Sequence, residues 1–180
     1  GERLIIMGLN GAGKTTLLRI LAGVEQADIG EVDVDSRTSI GYYAQEHEDI
    51  KRGTTVLDHM KEVSGAPELT LRNILGHFLL ADKIEQDAGT LSGGEKTKLA
   101  LARLVVGEHN LLLLDEPTNN LDPQAKDALL AALEQFDGSL VLVSHDAEFV
   151  ELLAPDRVIL MPEGDTAYFD ESMLELVSLA

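Results

Sequence analysis

The chain has 180 residues, no cysteine, 44% hydrophobic residues and a formal net charge of -18, from 32 acidic against 14 basic side chains. That length suits one domain with a sizeable core and room for a small subdomain, and the lack of cysteine excludes a disulfide scaffold and a thiolate metal site. The acidic balance argues against a nucleic-acid or anionic-membrane surface, and no apolar run reaches membrane-span length, so we expect a soluble, cytoplasmic protein with no direct membrane insertion and no targeting signal.

Gly1-Glu2-Arg3 leads almost at once into Leu4-Ile5-Ile6-Met7, a short apolar run expected of a buried parallel strand. The abrupt start reads as an N-terminally truncated domain. The run ends at Gly8-Leu9-Asn10-Gly11-Ala12-Gly13-Lys14-Thr15, which fits the phosphate-cradling pattern G-x-x-x-x-G-K-[ST] position by position. Glycines at 11 and 13 let the backbone aim successive N–H groups inward at the start of a helix, a setting for anionic oxygens. In that motif Lys14 contacts the β and γ phosphates and the Thr15 hydroxyl ligates Mg2+. Thr15 to Ala22 then carries apolar residues at helical spacing and stops at Gly23.

Glu31-Val32-Asp33-Val34-Asp35 alternates apolar and acidic residues and predicts a strand with one solvated face. Ile40 to Ala44 predicts another, delivering Gln45 at its end. Residues 46–90 predict two amphipathic helices: one carries Val56, Met60 and Val63 behind Thr54 or Thr55 as N-cap, the other Leu71, Ile74, Leu75 and Phe78. Leu91-Ser92-Gly93-Gly94-Glu95 opens a helix running to Gly107. There Ser92 and Glu95 make a capping box, and the glycine-rich helix end also suits an anion.

Leu111 to Leu114 is a continuous apolar run, hence a central strand, and Asp115 and Glu116 follow at its end. In an open α/β sheet ligands bind outside the carboxyl ends of the strands, so both carboxylates are expected to face the phosphate loop. Asp122-Pro123 starts a helix with apolar face Leu129, Leu130, Leu133 and Phe136. Leu140 to Val143 is a buried strand ending in Ser144-His145-Asp146. A helix, a strand at Val158 to Met161, an edge strand at Thr166 to Phe169 and a terminal helix from Ser172 to Leu179 complete the chain. His47, His59, His77 and His109 lack ligand-like spacing and read as surface or helix-face residues. The pattern is α/β: a P-loop NTPase with a mainly parallel sheet flanked by helices (1–45 and 91–180) and a small inserted helical subdomain (46–90).

With phosphate loop, Gln45, LSGGE helix start, Asp-Glu strand end and His145 in this order, the whole chain resembles the ATP-binding cassette superfamily. The resemblance implies that Asn10, Gly11, Ala12, Gly13, Lys14, Thr15 and Thr16 hold ATP phosphates. It implies Mg2+ at Thr15 and Gln45, with Asp115 reaching it through water. Glu116 would be the general base, and His145 would contact the γ-phosphate. Ser92, Gly93, Gly94 and Glu95 correspond to the signature that binds ATP held by a second cassette, head to tail, and Asn119 to Asp122 to the D-loop linking the two sites. Lys98 stands where arginine is commoner in the family.

Asp115-Glu116-Pro117-Thr118-Asn119-Asn120-Leu121-Asp122 and Glu95 to Ala102 are most similar to the ABC-F class, twin-cassette proteins that act on the ribosome, and the closing Tyr168 to Ala180 segment to the end of a C-terminal cassette. The implied partners are ATP, a second cassette in the same parent chain, and the ribosome through regions absent here, in translation regulation or antibiotic resistance. The alternatives are the ATP-hydrolysing subunit of a membrane transporter and a module that holds ATP without turnover.

Overall fold

The structure is a computed structural model that describes residues 1–44 and 50–179. The described chain divides into two compact units, residues 1–43, 109–117 and 137–180 in the first and 44–108 and 118–136 in the second. The second unit is wider than the 46–90 insertion expected from the sequence, because it also takes in the helix that follows LSGGE and the helix that follows Asp122.

The first unit is built on a sheet of β1 (Arg3–Met7), β2 (Ile40–Tyr43), β3 (Leu111–Asp115), β4 (Ser139–Val143), β5 (Arg157–Leu160) and β6 (Asp165–Tyr168) in the order β2-β3-β4-β1-β5-β6. All neighbours are parallel except β5 and β6, which pair antiparallel. The strands β1, β3 and β4 are the continuous apolar runs of the sequence, and a parallel strand covered on both faces needs such a run. On one face Ile6, Leu18, Leu113, Val141 and Val143 form a buried cluster. Leu18 comes from α1 (Lys14–Leu21), so this packing fixes the helix whose N-terminus receives the phosphate loop. The unit also holds α6 (Ala147–Leu153) and α7 (Leu174–Leu179), the latter preceded by a 3₁₀ turn at Glu171–Met173 that Asp170 caps through the Ser172 N–H at 2.9 Å.

The strand expected over Glu31 to Asp35 does not form. A strand needs a neighbour for its N–H and C=O groups, and no described strand pairs with this stretch. Val32 and Val34 stay 43% and 44% exposed, so its alternation is not rewarded by burial.

In the second unit, α2 (Val56–Val63) is capped by Thr55, whose side chain accepts the Asp58 N–H at 3.1 Å. It buries Val56, Leu57 and Met60 beside α3 (Glu68–His77) and α4 (Gly93–Val106), and α4 packs in turn on α5 (Pro123–Glu134). His59 lies on α2, one of the two placements expected for it, and on the fully buried face rather than at the surface. Both its ring nitrogens are satisfied: Nε2 accepts the Lys51 N–H at 3.0 Å, and Nδ1 lies 2.9 Å from the Thr55 carbonyl oxygen. No described helix is long and apolar enough to cross a membrane.

Candidate functional site

Because β1, β3 and β4 are parallel, the segments following them, carrying Gly8, Asp115-Glu116 and Ser144-His145, leave the same edge of the first unit. Leaving β1, the chain turns at once. A Cβ on Gly8 would lie 2.7 Å from the Met161 carbonyl oxygen, so only glycine fits between this turn and the end of β5. The Ala12 N–H donates to the Leu9 carbonyl at 3.0 Å, and Gly13 enters α1 at φ 95°, a left-handed value that favours glycine. Gly13 offers no side-chain cap to α1. The helix therefore starts with its first N–H groups unclaimed by a cap, the setting in which an anion binds. Asn10 and Gly11 lie on the turn, with Thr15 and Thr16 in the first turn of α1 beside Lys14.

Lys14 is buried to 8% exposure, and its Nζ donates to the Gly8 and Leu9 carbonyls at 2.5 and 3.3 Å. The loop thus curls around an ammonium of its own. Asp115 is buried as well; loss of solvent raises its carboxyl above the usual range, against a hydrogen bond from the Thr15 hydroxyl and the charge of Lys14. A carboxylate and a hydroxyl in direct contact are hard oxygen donors that fit Mg2+, which takes few protein ligands and fills its shell with phosphate and water. Gln45 lies outside the described residues, as does His47.

Glu116 has φ 50°, a left-handed value uncommon for any residue but glycine. Its N–H still donates to the Val143 carbonyl at 2.9 Å, extending the pairing of β3 with β4 by one residue, while the side chain turns toward the end of β4. There Oε2 accepts the backbone N–H of His145 at 3.2 Å. The His145 Nε2 stands 2.8 Å from Oε1. Despite that approach, Oε1 is a buried oxygen with no hydrogen-bond partner among the described residues. Burial, with the Asp115 charge adding to it, pushes the Glu116 carboxyl up to about 7. Burial lowers His145, and the Lys14 charge lowers it further. The carboxyl therefore holds and releases a proton near neutrality beside an imidazole held below its usual range.

In the second unit Ser92 caps α4 by a complete capping box. The Ser92 N–H and Oγ–H both donate to Glu95 Oε2, at 2.8 and 2.9 Å, and the Glu95 N–H returns to Ser92 Oγ at 3.3 Å. These bonds hold the Glu95 carboxyl below its usual range. Nothing crowds a Cβ at Gly93, whereas one at Gly94 would touch the Asn120 carbonyl oxygen at 3.5 Å. Asn120 is left-handed at φ 63°. Asp122 caps α5 through the Ala125 N–H at 2.9 Å and forms an ion pair with Lys98 of α4. That pair ties the LSGGE helix to the Asn119 to Asp122 turn, a relationship sequence reading missed; the acid-base pair is legible only once α4 and α5 pack.

A family model described as ABC transporter matches residues 1–119. The chain belongs to the ABC family. This ABC cassette is 42% identical over 167 residues to Probable ATP-binding protein YbiT of Escherichia coli O157:H7, covering 91% of this chain and 32% of that protein. It is 46% identical over 151 residues to Probable ATP-binding protein YheS of Haemophilus influenzae, covering 81% of this chain and 23% of that protein. The cassette thus spans about a third or less of these curated relatives, which are ABC-F family ATP-binding proteins. Among solved structures, archaeal ribosome recycling factor aABCE1, in a complex with the ribosomal stalk protein aP1, superposes with a TM-score of 0.75 at 26% identity, over 92% of this chain and 33% of that one. The fold is that of the ABC ATPase P-loop domains.

Proposed function

We propose that this cassette binds and hydrolyses ATP as half of a composite site, and that in its parent protein it works as a nucleotide-driven switch on the ribosome in the manner of ABC-F proteins. The observation that carries the hydrolytic reading is Glu116. It is a buried carboxylate on a left-handed backbone, with one oxygen held by the His145 N–H and the other without a hydrogen bond among the described residues. Such an oxygen is suited to accept a proton from water.

In the proposed reaction the turn from Asn10 to Gly13 and the first N–H groups of α1, at Lys14, Thr15 and Thr16, bind the β and γ phosphates. Lys14 leaves its carbonyl partners to neutralise them. Water attacks the γ-phosphorus, its proton passes to Glu116, and the bond to the ADP oxygen breaks, yielding ADP and phosphate. His145 contacts the γ-phosphate. Thr15 and Gln45, with Asp115 reaching the ion through water, would hold Mg2+, which when bound would supply positive charge to the phosphate oxygens.

Ser92, Gly93 and Gly94 would reach the γ-phosphate on a second cassette, with Glu95 shaping that turn and Asp122 linking the two sites. The ribosomal reading rests on the ABC-F relatives and on the aABCE1 neighbour. Together with the absence of a membrane-crossing helix among the described residues, it leads us to place the protein in the cytoplasm. Co-sedimentation of the full-length protein with ribosomes when ATP is present tests it. Fractionation with membranes instead would support the transporter reading.

A further inference from the structure

Ser92 has one hydroxyl proton to give, and in this structure the proton is already given. In a capping box the side chain of the third helical residue need accept only the N-cap backbone N–H. Here the same carboxylate oxygen, Glu95 Oε2, also takes the Ser92 Oγ–H, at 2.9 Å. Two donors at the tip of α4 therefore converge on one internal anion. The other carboxylate oxygen, Oε1, faces a cation: Lys83 Nζ lies 3.8 Å away, with Lys83 and Glu95 side chains 31% and 29% exposed. Lys83 is carried on a turn fixed by its N–H to the Leu80 carbonyl at 3.0 Å and by the Gln86 N–H to its own carbonyl at 2.8 Å. Its only other acidic neighbour among the described residues is Asp82, 3.8 Å away and 75% exposed.

We propose that Glu95 is an internal competitor for the signature turn: its carboxylate occupies the Ser92 donors until a phosphate takes them, and Lys83 then holds the displaced carboxylate. The inference rests on the composite-site reading above, in which the second anion is the γ-phosphate on another cassette. It makes Glu95 a positioning residue that sets how much ATP is needed to close the pair. The exchange is isosteric for the donors, since each leaves one anionic oxygen for another. What differs is the carboxylate charge, which opposes the incoming phosphate unless Lys83, with the more distant Lys98 adding to it, neutralises it. Glu95 and Lys83 are partly exposed, so solvent screens the charge and removing it changes affinity by up to about fivefold.

The test uses the full-length protein in the E116Q background, reading the ATP concentration for half-maximal retention of nucleotide, with a thermal melt on every variant. E95Q keeps an acceptor for the Ser92 N–H but removes the charge, and lowers that concentration by up to about fivefold. Lys83→Met raises it in the Glu95 protein and has no effect in the E95Q background. An unchanged or raised concentration with E95Q, or a Lys83→Met effect of equal size in both backgrounds, would overturn the proposal. Should E95Q melt too low to assay, Lys83→Met alone decides: a raised concentration supports the competition and an unchanged one sinks it. Failure of E116Q itself to retain ATP refutes the composite-site reading instead.

Discussion

Glu116 and His145 meet by both backbone and side chain. The His145 N–H donates to Glu116 Oε2 at 3.2 Å, and the imidazole Nε2 stands 2.8 Å from Oε1. The contact exists because β3 and β4 are parallel neighbours and because Glu116 adopts φ 50° one residue past the β3 ladder, turning its side chain along the sheet edge toward β4. With Asp115 on the adjacent residue, two buried carboxyls share this corner with Lys14.

Stability of the nucleotide- and metal-free protein should reflect that burial. The Glu116 carboxyl is raised from 4.5 to about 7 in the fold, so the native state favours its protonated form. Its contribution to stability is full below about pH 4.5 and is lost as pH rises through 7. Glu116→Gln removes the ionisation cost, so the variant gains on the parent by up to about 3 kcal/mol at pH 8.5 and by little at pH 5. Urea melts at both values check this, and an equal difference at the two would contradict it.

Lys14→Ala removes the ammonium around which the loop curls. Charge-assisted hydrogen bonds to phosphate contribute roughly 1.5–3 kcal/mol each, so ATP affinity should fall at least tenfold in a calorimetric titration. An unaltered affinity would remove the phosphate-loop assignment.

Gly8→Ala tests the close approach of the loop to the end of β5. The new Cβ would meet the Met161 carbonyl oxygen at 2.7 Å and the Met161 Cβ at 3.0 Å, so backbone must move. Destabilisation of about 1–3 kcal/mol is expected, read as a lowered melting temperature together with weakened ATP binding. A variant that melts and binds like the parent would mean the turn is looser than drawn.

Most elements were legible because their signals are local. Leu111 to Leu114 and Leu140 to Val143 are apolar runs too short for a helix and form strands buried on both faces, and Ser92 with Glu95 three residues on forms the expected capping box. Glu31 to Asp35 misled because its alternation satisfies a strand's side chains but says nothing of a pairing partner. His59 lies on a helix face as expected, but its full burial was not readable: a ring with two backbone partners can be buried without charge, and of these Thr55 caps its own helix while Lys51 precedes it. At the site, residue types and order were readable. The left-handed Glu116, the Lys83–Glu95 approach and the Lys98–Asp122 pair were not, since each depends on packing between elements distant in sequence.

The Lys98–Asp122 pair can be weighed by a double-mutant cycle. Lys98 is mostly covered, at 12% exposure, but Asp122 is 43% exposed, so solvent screens the pair and a coupling of about 1 kcal/mol is expected between Lys98→Met and Asp122→Asn. Asp122→Ala costs about 1 kcal/mol more than Asp122→Asn because the α5 cap to the Ala125 N–H is lost too. Urea melts of the variants give both numbers, and a coupling of zero would show that α4 and the Asn119 to Asp122 turn are held together by packing alone.

Single-turnover hydrolysis in full-length protein carrying Glu116→Gln decides whether Glu116 is the base of a composite ATP site. The amide cannot take the water's proton, so cleavage should slow by about 10²–10⁴-fold while ATP stays bound. Turnover at the parent's rate, or loss of ATP binding with the phosphate loop untouched, would exclude Glu116 as that base.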